Sequence, residues 1–155
     1  MTALAFSGHT EIPERSYGYV AKYVRMHVLF GDVDQIITGA AVGVDTLCHY
    51  LAYAWKREAQ HTIVVPNDIH NIEIVHFAIA MDFNVLYMPE GTGYLDRNSQ
   101  MIQMADRLVA FPPTGTEVQR GQGGGTWSTI RRARKKGIPI FIYPLDQSKP
   151  WKENT

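Results

Sequence analysis

The 155-residue chain carries fifteen Lys and Arg against fifteen Asp and Glu, with 45% hydrophobic and 19% charged residues. This length fits one domain with a sizeable core, and this composition excludes global disorder. Proteins dedicated to binding duplex DNA usually have an excess of basic residues, and this chain has no net charge. Its overall charge therefore gives no support for duplex-DNA binding, although it leaves nucleic-acid binding open.

Apolar runs of strand length alternate with amphipathic segments along the chain. In chain order we predict strand 3–6, helix 14–29, strand 33–38, helix 45–58, strand 61–66, helix 72–81, strand 84–88, helix 95–105, strand 107–111, helix 125–136 and strand 138–143. Continuous apolar strands between helices are typical of a parallel sheet that is covered on both faces. The prediction is therefore the α/β class, a Rossmann-like three-layer sandwich with a mainly parallel sheet, as a single domain over residues 1–150 with a free tail at 151–155.

No segment predicts export, a membrane span or a metal site. Residues 1–7 lack the basic and long apolar regions of a signal peptide, and no run approaches the roughly 18 apolar residues of a membrane helix. The single cysteine, Cys48, excludes an intramolecular disulfide and is expected as a small buried helix residue. The six histidines form no recognisable ligand cluster. We expect a cytoplasmic protein that contacts no membrane and holds neither a metal nor a resident cofactor.

Small and polar residues follow several predicted strands at the edge where parallel sheets bind ligands. The candidate site residues are Gly8 and His9 after the first strand, Gly39, Gly43 and Asp45 after the second, Asn67 after the third, Arg97 and Asn98 at the start of a helix, and Gly124, Gly125 and Thr126 after Gly123. Their convergence at one edge predicts a single binding site.

The glycine runs favour phosphate binding for a steric reason. Glycine lets a phosphate approach the backbone without a Cβ atom in the way, and the helix that follows presents free amide groups and a positive dipole end. For Gly124, Gly125 and Thr126 the alternative is a flexible linker with an ordinary helix cap. For Gly39 and Gly43 the alternative is tight packing of a strand against a helix.

The polar candidates have structural alternatives as well. Asp45 begins a helix, where a carboxylate caps free amides, or it binds a ribose or a base. Arg97 and Asn98 form a solvated face or reach a phosphate. The basic run at 131–136 is a favourable helix terminus in solvent, or it contacts a nucleic acid or an acidic partner. The polar loop at 112–124, about 13 residues without apolar periodicity, is of a length that is usually functional or disordered.

The ordered set of motifs resembles a known group of proteins. These motifs are Ser7-Gly8-His9, the segment 38–49 (TGAAVGVDTLCH), Arg97-Asn98 and the segment 124–129 (GGTWST). They resemble the SLOG superfamily, Rossmann-like proteins that include the DNA-processing protein A family, the lonely-guy cytokinin-activating enzymes and molybdenum-cofactor carrier proteins. The similarity covers about residues 3–143. It implies a nucleotide-like small-molecule ligand and a homo-oligomer; Trp55, Trp127 and Tyr94 are the aromatic residues that would be either partly exposed or core.

The chain departs from two of these families at particular positions. Gly43-Val44-Asp45 followed by His49 is similar to a segment of DNA-processing protein A, but Val42 stands where that family commonly has arginine. The lonely-guy pattern ends in a glutamate, where this chain has Thr129, so that Asp45 or Glu117 would have to replace it. The leading interpretation is a binding protein for a nucleotide or nucleotide-derived phosphorylated ligand, with no catalytic residue assigned. The alternatives are a nucleoside-monophosphate N-glycoside hydrolase and a single-stranded-DNA-binding recombination mediator.

Overall fold

The structure is a computed structural model that describes residues 2–68, 71–118 and 124–154. The strands within these ranges are β1 (Ala3–Gly8), β2 (Gln35–Gly39), β3 (Gln60–Val65), β4 (Asn84–Tyr87), β5 (Arg107–Phe111), β6 (Ile140–Ile142) and β7 (Trp151–Glu153). The helices are α1 (Tyr17–Leu29), which a 3-10 turn (Glu14–Ser16) precedes, α2 (Val44–Trp55), α3 (Ile72–Ala80), α4 (Tyr94–Met104) and α5 (Gly125–Lys136).

All of these strands form one sheet in the order β4-β3-β2-β1-β5-β6-β7. Neighbouring strands from β4 to β6 are parallel, and β7 is antiparallel to β6. The chain moves outward from β1 to the edge at β4 and then returns through α4 to β5, which pairs with the other side of β1. The predicted Rossmann-like three-layer sandwich with a mainly parallel sheet is confirmed.

Alternate residues along each strand supply the two faces of the sheet, as the pleat of a strand requires. On β1, Ala5 packs with the residues of α4 and α5, whereas Phe6 packs with those of α1 and α2. The helix α3 covers the β3 part of the second face through Ile74 and Ala78. Cys48 is fully buried in that layer on α2, as the sequence predicts.

The carboxyl-terminal residues are fastened to the sheet, so the prediction of a free tail from Trp151 is wrong. The Trp151 ring stacks on that of Trp127 with 6.2 Å between the ring centroids. The Glu153 carboxylate accepts a hydrogen bond from Arg134 Nε at 2.7 Å. These contacts join β7 to α5. None of the helices in the described ranges combines the length and hydropathy needed to span a membrane.

Candidate functional site

A pocket of about 260 Å³ opens at the carboxyl end of β1 and the segment that follows β2, and the first turns of α4 and α5 complete it. The strand order reverses beside β1, which pairs with β2 on one side and with β5 on the other, and open α/β sheets bind their ligands near such a point. We call this space the inner pocket. Its lining residues are Ser7, Gly8, His9, Thr10, Ala41, Asp45, Tyr94, Arg97, Asn98, Met101, Gly124, Gly125 and Thr126.

Arg97 lies in the inner pocket with part of its hydrogen-bonding capacity unused. Its side chain is only 3% exposed, its Nε donates to Asn98 Oδ1 at 3.0 Å, and its guanidinium group lies 4.5 Å from the centroid of the Tyr94 ring. Its Nη1 atom has no hydrogen-bond partner among the described residues. A buried, charged donor without an acceptor destabilises a fold. Because Nη1 packs against Gly39 beside Asp45 while Arg97 lines the pocket, the inner pocket has a buried positive charge in its wall, which favours an anionic ligand.

Gly39 is the last residue of β2, and because it has no side chain, Arg97 and Asp45 can pack against its backbone. A Cβ atom at Gly39 would lie 2.6 Å from the guanidinium carbon of Arg97 and 2.8 Å from Asp45 Oδ2. Asp45 Oδ2 also accepts a hydrogen bond from the Ala41 backbone N–H at 3.3 Å. Burial raises the pKa of Asp45 to about 6, against the opposing effects of the Arg97 charge and the Ala41 hydrogen bond. The pocket thus contains a carboxyl group that titrates just below neutral pH.

The amino terminus of α5 faces the same pocket. Gly124 precedes this helix with a φ of 81° and a ψ of 57°, a left-handed conformation that glycine adopts without a steric penalty. The amide groups in the first turn of a helix have no acceptor within the helix and carry the positive end of its dipole. Thr126, which is 4% exposed, adds a hydroxyl group beside them. This arrangement has the chemistry of a phosphate-binding helix terminus.

Solved structures share this architecture. DNA processing protein A from Helicobacter pylori matches with a TM-score of 0.64 and 20% identity over 91% of this chain. DNA processing protein A from Streptococcus pneumoniae matches with a TM-score of 0.67 and 17% identity over 92% of the chain. The molybdenum cofactor carrier protein from Chlamydomonas reinhardtii matches with a TM-score of 0.63 and 15% identity over 92% of the chain. The chain shares the Rossmann-like fold of these proteins.

The shared Rossmann-like fold agrees with the resemblance that the sequence motifs indicate. The matched region covers 64% and 50% of the two DNA processing protein A chains and 76% of the cofactor carrier chain. No protein-family model and no curated protein sequence matches the chain. At 20% identity or less, the similarity establishes the fold and leaves the ligand to be argued from the site.

Most of the candidate residues from the sequence line the inner pocket together. These residues are Gly8, His9, Asp45, Arg97, Asn98, Gly124, Gly125 and Thr126. Gly43 has a φ of 82°, and a Cβ atom there would lie 2.6 Å from the His9 carbonyl oxygen, which indicates close packing. Asn67 is exposed in the loop after β3 and is not a lining residue. Gly123 falls outside the described residues.

Two residues that the sequence connects with catalysis lie outside the pocket. The Glu117 carboxylate is at the surface, 3.2 Å from Arg131 Nη1 and 2.6 Å from Arg134 Nη1. Thr129 is fully buried and donates a hydrogen bond to the Gly125 carbonyl at 3.0 Å. Asp45 therefore carries the only carboxyl group among the residues that line the inner pocket in the described part of the chain.

Tyr94 belongs to the pocket, although the sequence predicts it only as an exposed or core aromatic residue. It is 43% exposed at the start of α4, whereas Trp127 is only 1% exposed. Tyr94 and Arg97 stand three positions apart and therefore share a face of the helix. That spacing is the signal by which Tyr94 could have been assigned to the same site as Arg97.

His49 is a buried polar residue beside the pocket-forming part of α2. It has no exposed surface, and neither ring nitrogen has a hydrogen-bond partner among the described residues. Its ring lies 5.4 Å from that of Phe83, which also stacks on His61 of β3. Burial lowers the pKa of His49 to about 3, and His61 contributes in the same direction. No cluster of three or more His, Cys, Asp or Glu side chains in the described ranges is placed to hold a metal ion.

We expect His49 to make the fold sensitive to acid. Because its pKa is lower in the folded state than the ordinary 6.5, the unfolded state binds more protons between about pH 3 and 6.5, and stability falls as the pH drops through this window. At pH 5 this amounts to about 2 kcal/mol. In His49→Leu, the loss of unfolding free energy between pH 7 and pH 5, measured by urea denaturation, should shrink by that amount. An unchanged loss would contradict the prediction.

Proposed function

We propose that this chain binds a nucleotide or a nucleotide-derived phosphorylated ligand in the inner pocket. The observation that carries the proposal is the buried Arg97 guanidinium group, which lines the same pocket as the amino terminus of α5. A phosphate group would satisfy both the guanidinium donor and the helix amides. Asp45 and Asn98 line the same space and supply polar groups for the hydroxyl groups of a sugar.

The same proposal includes a cytoplasmic homo-oligomer. Cys48 is a buried free thiol, which fits a reducing compartment. The ring of Tyr94, 43% exposed at the pocket, is available to a second copy of the chain or to the ligand itself.

A thermal-shift panel tests the binding proposal. Nucleoside monophosphates and ADP-ribose, each at about 100 times its dissociation constant, should raise the melting midpoint by roughly 5 to 10 °C, because ligand binding to the folded state alone adds about 2.7 kcal/mol of stability. The matched nucleosides without phosphate serve as controls. At the same concentrations as the phosphorylated compounds, they should raise the melting midpoint much less. The proposal fails if no phosphorylated compound stabilises the protein and no such compound copurifies with it by mass spectrometry.

The hydrolase alternative depends on Asp45. A raised pKa of about 6 suits a group that exchanges protons near neutral pH. The glutamate of the lonely-guy pattern is replaced by the buried Thr129, so no second carboxylate is placed in the pocket among the described residues. Assay of the thermal-shift mixtures for free base decides this alternative, since release of base from a monophosphate would support hydrolysis.

Single-stranded DNA is the second candidate ligand. The Helicobacter pylori protein that shares the fold has a described single-stranded DNA binding mode. In the present chain a basic groove along α5 adjoins the inner pocket through Gly124 and Gly125. This alternative requires that the protein bind single-stranded oligonucleotides with an affinity that falls as the salt concentration rises.

A further inference from the structure

The inner pocket is small for a nucleotide-sized ligand. Its volume is about 260 Å³, whereas pockets for drug-sized ligands usually occupy about 300 to 1,000 Å³. Two neighbouring spaces share residues with it. A cleft of about 340 Å³ shares His9, and a groove of about 820 Å³ between α4 and α5 shares Gly124 and Gly125. A ligand larger than the inner pocket would extend into one or both of these spaces.

The groove between α4 and α5, which we call the α4–α5 groove, is lined by positive charge. Its charged lining residues are Arg131, Arg132, Lys135 and Lys136, and no carboxylate lines it in the described part of the chain. The chain as a whole has no net charge, so this is a local concentration of cations. The cleft beside His9 differs, because Glu11 and Asp146 line it together with Arg15. An anionic part of the ligand is therefore favoured in the groove and disfavoured in the cleft.

The basic side chains of the groove differ in whether they already have partners within the protein. Lys136 Nζ donates to the carbonyl oxygens at the end of α4, including Ile102 at 2.9 Å and Ala105 at 2.7 Å, and so caps that helix. Arg131 is paired with Glu117. Lys135 is exposed, with no ion pair or hydrogen bond among the described residues. This leaves Lys135 and Arg132 as the cations that a ligand can recruit.

Arg132 is already oriented toward the groove. Its Nε donates to Ser99 Oγ of α4 at 2.6 Å, and its Nη1 donates to the Ser128 carbonyl at 3.1 Å. These contacts hold the guanidinium group between the two helices, where an anion would meet a preformed cation. The apolar groups that complete the lining come from Leu95, the buried Ile102 and the stems of the long basic side chains.

The two sites for negative charge are separated by one to two helical turns. Arg132 follows Gly125 by seven residues, a rise of about 10 Å, and side chains on a helix lean back toward its amino terminus. The second cationic position therefore lies about 5 to 10 Å beyond the first turn of α5. A pyrophosphate, whose phosphorus atoms share one oxygen, is too short to place one phosphate at each position.

We propose that the ligand of this protein is a small nucleotide derivative in which a spacer separates a second anionic group from the first phosphate, and that this second group lies in the α4–α5 groove on Arg132 and Lys135. The inference rests on the proposed function of the inner pocket and specifies its ligand class. The first phosphate binds at Arg97 and the amino terminus of α5, and the spacer passes over Gly124 and Gly125, which the two spaces share.

Isothermal titration calorimetry with two probes tests this inference. The probes are adenosine 5′-monophosphate (AMP), with one phosphate, and the 5′-phosphorylated diadenylate pApA, whose two phosphates are separated by a nucleoside. Wild-type protein should bind pApA about tenfold more tightly than AMP, because the second phosphate adds charge-assisted hydrogen bonds. The double variant Arg132→Gln/Lys135→Gln should lose this advantage and retain its affinity for AMP. Circular dichroism melting establishes that the variant is folded.

The matched control is Lys22→Gln/Arg25→Gln, which removes the same charges from exposed positions on α1, on the opposite face of the sheet. Equal affinity of the wild type for both probes, or equal weakening by the control, overturns the inference and leaves the proposed function standing if AMP binds. If the affinity continues to rise from pApA to a single-stranded DNA dodecamer, the occupant of the groove is single-stranded DNA, and the inference is overturned as well. Failure of both probes to bind overturns both proposals.

Discussion

Replacing Arg97 with methionine is expected to weaken nucleotide binding strongly while the protein still folds. The variant removes the buried guanidinium group that lines the inner pocket. Loss of a buried, charge-assisted contact to phosphate should weaken the binding of AMP about 100-fold. The variant also loses the Nε hydrogen bond to Asn98 and the positive charge beside Asp45, so its melting temperature is measured in parallel to separate the effect on binding from the effect on stability. Calorimetry and thermal unfolding measure the two effects.

Arg57→Met is the matched control for this experiment. Arg57 is exposed after α2 and lies over the Tyr53 ring at 5.1 Å, so that it shares the cation–aromatic contact of Arg97 but not its burial. The control should bind AMP like the wild type. Equal affinities of Arg97→Met and the wild type would remove Arg97 from the proposed site, and a collapse of the fold in Arg97→Met would assign it a structural task instead.

Gly43→Ala is expected to produce the largest loss of stability among the glycine substitutions at the pocket edge. Gly43 has a φ of 82° and a ψ of −125°, a backbone conformation that is sterically unfavourable for alanine. A Cβ atom there would also lie 2.6 Å from the His9 carbonyl oxygen, and backbone cannot move aside as a flexible side chain can. Strain and overlap together should cost about 3 to 5 kcal/mol of unfolding free energy, measured by urea denaturation.

Gly18→Ala provides the comparison for Gly43→Ala. Gly18 is in α1, and a Cβ atom there would meet no heavy atom within 4 Å. Alanine should therefore stabilise the helix by about 0.5 to 1 kcal/mol. If both substitutions change stability by the same amount, the close approach of Gly43 to the loop after β1 has no energetic importance.

The main elements of the fold follow from the sequence because their patterns are local. The predicted strand 107–111 and helix 125–136 coincide with β5 and α5, since the apolar run and the glycine-led amphipathic segment have sharp ends. The predicted helix 14–29 begins instead with a 3-10 turn after Pro13. Strand β7 could not be predicted, because three residues carry no periodic signal. Its position is fixed by Trp127 and Arg134, which are distant in sequence.

The candidate site follows from the sequence only in part, because strand order is not a local property. The rule that ligands bind at the carboxyl ends of strands selects Gly8, Asp45 and Gly124 correctly as neighbours. It also selects Asn67, which follows β3. The strand β2 separates β3 from β1, so the two loops begin roughly 10 Å apart. The separation of Glu117 from the pocket likewise depends on its pairing with Arg131 and Arg134 on the outer face of α5.

The pairing of Arg134 with Glu153 has a practical meaning for work with this protein. Arg134 holds both Glu117, in the segment that precedes Gly124, and Glu153, in the strand at the carboxyl terminus. Shortening the chain at Pro150 would remove Glu153 and the Trp151 ring together, and with them the contacts that join α5 to β7. Shortened versions of the protein should therefore end beyond Glu153.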